Sequence, residues 1–214
     1  MDWQLAFQMY VTLIVSLTFH EAAHGLFALW GGDKTAYYAG QVTLNPIAHM
    51  QREPFGTIVL PLLGLLSSHG RNLLGYASAP VDPRWAERNP GKAALMSAAG
   101  PLANLLLATV AFVVLYAIAR PDDETERAVR SIAKQFLRLN LLLAIFNLIP
   151  MPPLDGAGVV SGLVPASRPL YRRIQSVPYS ALVVFVLASY WLPQLYVPVY
   201  LAVDDWLPYS TLFD

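Results

Sequence analysis

From Trp3 to Gly32 the chain carries one charged side chain, Glu21. An uncharged run longer than the ~20 residues that cross bilayer hydrocarbon predicts a transmembrane helix. Four further apolar segments follow, at 54–70, 93–119, 135–151 and 177–203. Those beginning at Ala93 and Val177 are long enough to span. The 54–70 segment is short, and Gly56, Pro61 and Gly64 interrupt it, so it reads as a short span or a re-entrant loop. Between the first two segments, Thr35 to Leu44 is rich in Tyr, Thr and Val around Gly40, which predicts a β-hairpin. That hairpin is either a plain connection or an edge strand that pairs with an extended peptide.

Composition agrees with this pattern. Of 214 residues 56% are hydrophobic and 13% charged, against about 25% charged in soluble domains. The fold class expected is an all-α polytopic membrane protein: core transmembrane helices, a small membrane-associated β-hairpin and a re-entrant segment. We read residues 1–214 as one integral-membrane domain, with a catalytic core over about 3–160 and a C-terminal helical segment over about 165–214. Fourteen basic and 14 acidic residues cancel, so no global field points to nucleic acid. With no cysteine there are no disulfides, thiolate ligands or cysteine nucleophile. No basic n-region or small-residue cleavage site precedes the first segment, which is read as retained. Trp30, Tyr37, Tyr38 and Trp85 are expected to mark the membrane interface as an aromatic belt.

The chemistry begins inside the first helix, at His20-Glu21-Ala22-Ala23-His24. Residues four apart share a helix face, so both imidazoles can reach one zinc ion while Glu21 stands beside the metal-bound water. The five-residue pattern alone is common by chance. Its setting is not, because a charged group at the centre of a membrane helix costs roughly 2.5–3.5 kcal/mol and is read as functional by default.

A second informative stretch, Asn147-Leu-Ile-Pro150-Met-Pro152-Pro153-Leu-Asp155-Gly156, ends the fourth apolar segment. Its prolines must break a helix, and irregular backbone at membrane depth is tolerated only where protein or water satisfies it. A carboxylate on such a break suits a third zinc ligand and leaves the fourth position open, as catalytic sites require. Asp155-Gly156 as a simple turn leaving the membrane fits these residues equally well.

Taken together, the motif at 20–24, the Asn147 to Gly156 stretch and Gly100-Pro101-Leu102-Ala103-Asn104 on the intervening helix resemble the site-2 protease family of intramembrane zinc metalloproteases. Thr43-Leu44-Asn45-Pro46 and Pro54-Phe55-Gly56 are similar to its compact bacterial subgroup, which lacks PDZ and CBS domains. The resemblance covers roughly residues 10–160. It implies one zinc ion per chain held by His20, His24 and Asp155, with Glu21 as general base. It implies that Asn147 donates to the substrate carbonyl or oxyanion, and that Asn104 and Gly100 contact substrate. Asn104 as a tie between helices and Gly100 as a close-packing position are the alternatives. The activity implied is hydrolysis of a peptide bond in or near the transmembrane segment of another membrane protein. A catalytically silent relative that scaffolds transmembrane partners is the main rival, and a zinc-using transporter a lesser one.

For one site to form, the first and third apolar segments must run antiparallel and the 54–70 segment must enter and leave on one side. Nine basic residues (Lys34, Arg52, Arg71, Arg84, Arg88, Lys92, Arg168, Arg172, Arg173) then share the active-site face, against five (Arg120, Arg127, Arg130, Lys134, Arg138) on the other. Positive-inside bias makes that face cytoplasmic in a multi-pass protein of the cell membrane. The expected partners are a transmembrane substrate and the lipid bilayer; association between copies of the chain is left open. The acidic run Asp122 to Glu126 reads as a solvated connector, with docking as its alternative. His49 is read as a loop or supporting residue, and both His49 and His69 lie outside the motifs.

Overall fold

The structure is a computed structural model describing residues 3–68 and 75–209. In chain order its elements are α1 (Trp3–Gly31), α2 (Thr35–Tyr38), α3 (Pro46–Arg52), a π-helical turn (Phe55–Val59) running into α4 (Leu60–Ser67), α5 (Pro83–Arg88), α6 (Pro90–Ala117), α7 (Glu124–Asn147), α8 (Asp155–Leu163), a short 3-10 turn (Pro165–Ser167), α9 (Arg168–Gln175) and α10 (Ser180–Asp204). Helices α1, α6 and α10 are each long and apolar enough to cross a membrane. Leu102, Leu106, Val110 and Val113 of α6 and Leu182, Val186 and Trp191 of α10 point outward. Apolar faces of that extent suit hydrocarbon better than water.

Helix α6 is the hub, packed against α1, α7 and α8. Its inner face, Ala93, Ser97, Gly100, Asn104, Ala108 and Ala111, is a stripe of mostly small residues at helical spacing, all buried. Small side chains let helix backbones approach closely in the absence of a strong hydrophobic drive. Helix α8 answers with Gly158 and Gly162, where a Cβ would strike Ser97 and Ala94. Farther along, Ala108, Ala111 and Leu115 of α6 meet Ala133, Leu137 and Leu141 of α7, and Tyr200 and Leu207 close the cluster.

Helices α1 and α6 run antiparallel. Asn104 Nδ2 donates to Ser16 O (3.4 Å), His24 Nδ1 to Met96 O (2.7 Å), and Lys92 Nζ to Gly31 O (3.1 Å), so positions ascending α1 meet positions descending α6. The apolar segment after α3 returns to where it began. Arg52 Nε donates to Ser78 O, the Ser78 hydroxyl to Glu53, and Tyr76 N–H to Gly56 O. Its helical part, Phe55–Ser67, is shorter than the three helices long enough to span, and its two flanks are held together by these bonds. The end of that segment, with His69 and Arg71, lies outside the described residues.

Three expectations need correction. No strand occurs among the described residues, so the β-hairpin over Thr35 to Leu44 is not formed. The carboxylate of Asp33 accepts from the N–H and hydroxyl of Thr35 and starts the single turn α2. Gly40, at φ +68°, follows that turn in the left-handed conformation that glycine adopts without strain. A local side-chain turn at Asp33 thus wins over the β propensity of Tyr, Thr and Val. Trp85 does not face outward as a belt residue would; it is buried, its Nε1 donates to Gly31 O and its ring packs on Gly31. Helix α7 begins at Glu124, well before the apolar run at 135. Asp123 caps it by accepting from Glu126 N–H, and Glu126 reaches back to the N–H of Asp122, one residue before the N-cap that a capping box would use. Part of the acidic run therefore has a structural task.

Candidate metal centre

His20 and His24 lie one turn apart on α1, both buried, with ring centroids 4.6 Å apart. The ligand atoms of His20, Glu21 and His24 all fall within 4.8 Å of one another. Asp155, the first residue of α8, reaches the same point: Oδ2 is 3.1 Å from His20 Nε2 and Oδ1 is 3.3 Å from His24 Nε2. The proline-rich stretch ends α7 at Asn147 and releases a new helix whose first residue is that acid. A helix N-terminus carries partial positive charge, which favours a carboxylate there.

Both imidazoles are oriented from behind. His24 Nδ1 lies 2.7 Å from Met96 O, and His20 Nδ1 lies 2.6 Å from Asn104 Oδ1. A carbonyl oxygen only accepts, so both Nδ1 atoms carry hydrogen and both Nε2 atoms turn lone pairs inward. Those Nε2 atoms are 3.0 Å apart. Two lone pairs and a carboxylate at such separations repel unless a cation lies among them. Glu21 Oε2 and Asp155 Oδ2 are buried and accept no well-formed hydrogen bond, and buried polar atoms left so are costly. The donor set, two imidazoles and one carboxylate with a second carboxylate beside them, fits zinc.

Gly100 belongs to this centre by absence of bulk: a Cβ there would collide with Nε2 of both histidines. Asn104 is fully buried beneath His20, and Gly100 is buried against the two imidazoles. Asn147 is half-buried at the end of α7, and one of its two amide hydrogens goes to Leu143 O (3.0 Å). A cavity of about 310 Å³ opens beside Asp155, between α5, α6, α8 and α9, with Met96, Pro153, Gly158, Glu87 and Arg172 on its walls. His49 sits buried on α3, its Nε2 2.9 Å from Thr43 O, and braces the loop that crosses α1 at Gly25.

The supporting residues Met96, Asn140 and Ser16 were not singled out from the sequence. A backbone acceptor such as Met96 O has no residue signature at all. Asn140 and Ser16 do leave one, as uncharged polar side chains inside apolar helices.

The family model of peptidase family M50 matches residues 8–138 and 116–189. The chain is a member of peptidase family M50, the site-2 protease family. Among its relatives, "Putative zinc metalloprotease YwhC" of Bacillus subtilis (strain 168) is 40% identical over 160 residues, covering 72% of this chain and 68% of that protein. "Putative zinc metalloprotease Rip2" of Mycobacterium tuberculosis (strain H37Rv) is 31% identical over 183 residues, 85% of this chain and 66% of the relative. Its namesake in Mycolicibacterium smegmatis is 30% identical over 148 residues, 69% of this chain and 53% of the relative. The chain thus matches between about half and two thirds of its relatives' length. No solved structure matches it. M50 membership implies a zinc cofactor, and the His-Glu-His group needed to hold it is present.

Proposed function

We propose that this M50 member is an intramembrane zinc endopeptidase that hydrolyses a peptide bond within or near the transmembrane segment of another membrane protein. The observation that carries the reading is the convergence of His20, His24, Asp155 and the unpartnered oxygen of Glu21 within a helix of membrane-spanning length.

In this reading His20, His24 and Asp155 hold the ion. Zinc, when bound, polarises the scissile carbonyl and draws the pKa of water down towards about 7. Glu21 takes a proton from the attacking water at Oε2. The water oxygen bonds to the carbonyl carbon, the C–N bond breaks, and Glu21 returns the proton to the leaving amine. Asn147 donates its second amide hydrogen to the carbonyl oxygen as negative charge builds there, a contribution largest in a dry site. A helix hides its carbonyls in internal hydrogen bonds, so the substrate must unwind before attack. The cavity beside Asp155 offers room for the unwound segment. The catalytic face is cytoplasmic in this reading, because basic residues such as Lys92, which donates to Gly31 O, and Arg52, which donates to Ser78 O, gather at the C-terminal end of α1.

Mass spectrometry of the products tests the intramembrane assignment. Cleavage between residues of the substrate's apolar segment or its immediate edge is expected. Cuts confined to soluble domains of the substrate would reject it.

A further inference from the structure

Behind His20 lies a chain of hydrogen bonds through all three packed helices, and every bond in it has only one possible direction. Ser16 Oγ donates its single hydrogen to Thr12 O (2.7 Å), so towards Asn140 it can only accept. Asn140 Nδ2 therefore donates to Ser16 Oγ (2.9 Å) and, with its other hydrogen, to Phe136 O (2.9 Å). That turns Asn140 Oδ1 towards Asn104, where it accepts from Nδ2 (2.8 Å). The second hydrogen of Asn104 Nδ2 points to Ser16 O (3.4 Å). Only its oxygen is then left to face His20 Nδ1, at 2.6 Å. Asn104, Asn140 and Ser16 are all fully buried, so water cannot substitute for any partner.

An asparagine amide is nearly symmetric in shape and can rotate by half a turn in place. Rotated, Asn104 would present N–H groups to His20 and favour the tautomer protonated on Nε2, whose lone pair faces away from the metal position. Nothing in Asn104 alone decides between the two. The decision comes chiefly from Thr12 O and Phe136 O, two backbone carbonyls that cannot donate and that act through Asn140, while Ser16 O biases Asn104 the same way by a longer contact of 3.4 Å. We infer that Asn140, backed by Ser16, is a positioning residue that fixes the His20 tautomer through Asn104 and so readies the zinc site before metal arrives. The inference rests on His20 being a zinc ligand. It adds a dependence of that ligand on α7, a helix that contributes no ligand itself.

The test uses the full chain purified in detergent, with 15N-labelled histidine. Two variants separate orientation from packing. Asn140→Leu keeps the number and branching of heavy atoms and removes every polar atom. In Asn140→Asp, burial favours the protonated carboxyl; its carbonyl oxygen still accepts from Asn104 and its O–H takes the donor place. Zinc affinity is measured by chelator competition, and the His20 tautomer by ring nitrogen shifts of the metal-free protein. N140L is expected to bind zinc about 10–100-fold more weakly, the range seen when supporting partners of metal ligands are lost, and to show His20 as a mixture of tautomers. N140D is expected to stay close to wild type in both. If N140L does not fold, Ser16→Ala replaces it, with both readouts moving the same way by less. A purely Nδ1-protonated His20 in N140L or S16A overturns the inference, as does N140D binding zinc as weakly as N140L. Wild type without zinc affinity would count against the metal assignment alone, because the tautomer comparison is made without metal.

Discussion

Gly100 sits directly beneath His24: a Cβ on residue 100 would run into His24 Nε2 and stand 2.6 Å from Nε2 of His20. The metal position is therefore walled on one side by bare backbone. Gly100→Ala should displace both imidazoles, at the cost of about 1–3 kcal/mol typical of overpacking a tight interior. Zinc content after purification should fall sharply, while helix content by circular dichroism stays near wild type. Full zinc occupancy in G100A would mean the helices can part without disturbing the site.

Asp33 ties the end of α1 to the segment that leads into α5, through Asp82 N–H. Burial alone would raise its carboxyl, but hydrogen bonds from the Thr35 hydroxyl and from the N–H groups of Asp82 and Thr35 outweigh that and hold it below the ordinary carboxylate value. A group depressed on folding contributes stability that is complete above its unfolded pKa of about 3.9 and lost as pH falls through the lower folded value. Asp33→Ala should cost about 1.5–3 kcal/mol at neutral pH, the range for hydrogen bonds to a charged acceptor. In detergent unfolding experiments the gap to wild type should hold from neutral pH to about 5 and narrow below 4. A gap that widens in acid would contradict this account of Asp33.

The flanks of the 54–70 segment share one end of the molecule, joined by the Ser78 hydroxyl to Glu53 and by Asp82 N–H to Asp33. Topology reporters fused at Ala86 and at Asp122 should therefore report opposite sides, with Ala86 cytoplasmic. Leaving out Arg71, eight of the nine basic residues remain on the Ala86 side against five on the other, which is the basis of that orientation. An Ala86 fusion found outside the cell would reverse it.

Much of the centre was legible in the chain because its strongest constraints are local. A motif of four-residue spacing needs only a helix, and the prolines after Asn147 must end one wherever they stand. Close packing at Gly100 was readable because small residues recur along α6 at helical spacing. The hairpin failed for a local reason too: the turn that Asp33 makes with Thr35 and the left-handed Gly40 outvote the Tyr, Thr and Val between them. What was not legible is the support behind the ligands. Ser16, Asn104 and Asn140 come from three helices, and no spacing along the chain announces that their amides and hydroxyl will meet. The early start of α7 was hidden because its first turns are charged, where a hydropathy pattern is silent and only the Asp123 cap marks the helix.

If unwinding precedes attack, the stability of the substrate helix sets the rate. Single-span substrates with Gly or Pro near the scissile bond should be cut faster than leucine-rich versions of equal length, since Gly costs a helix interior about 1 kcal/mol and Pro about 3. Equal rates across such a series, measured under single-turnover conditions, would remove the unwinding step.

The central claim is that Glu21 performs proton transfer in a zinc site made by this chain. Its most direct test compares wild type with Glu21→Gln for cleavage of single-span membrane proteins, with zinc measured on the same samples. The account predicts zinc in both and cleavage only by wild type, with the loss at least the 10²–10⁴-fold that a general base supplies. Zinc retained in both with equal cleavage, or cleavage by protein that holds no metal, would contradict it.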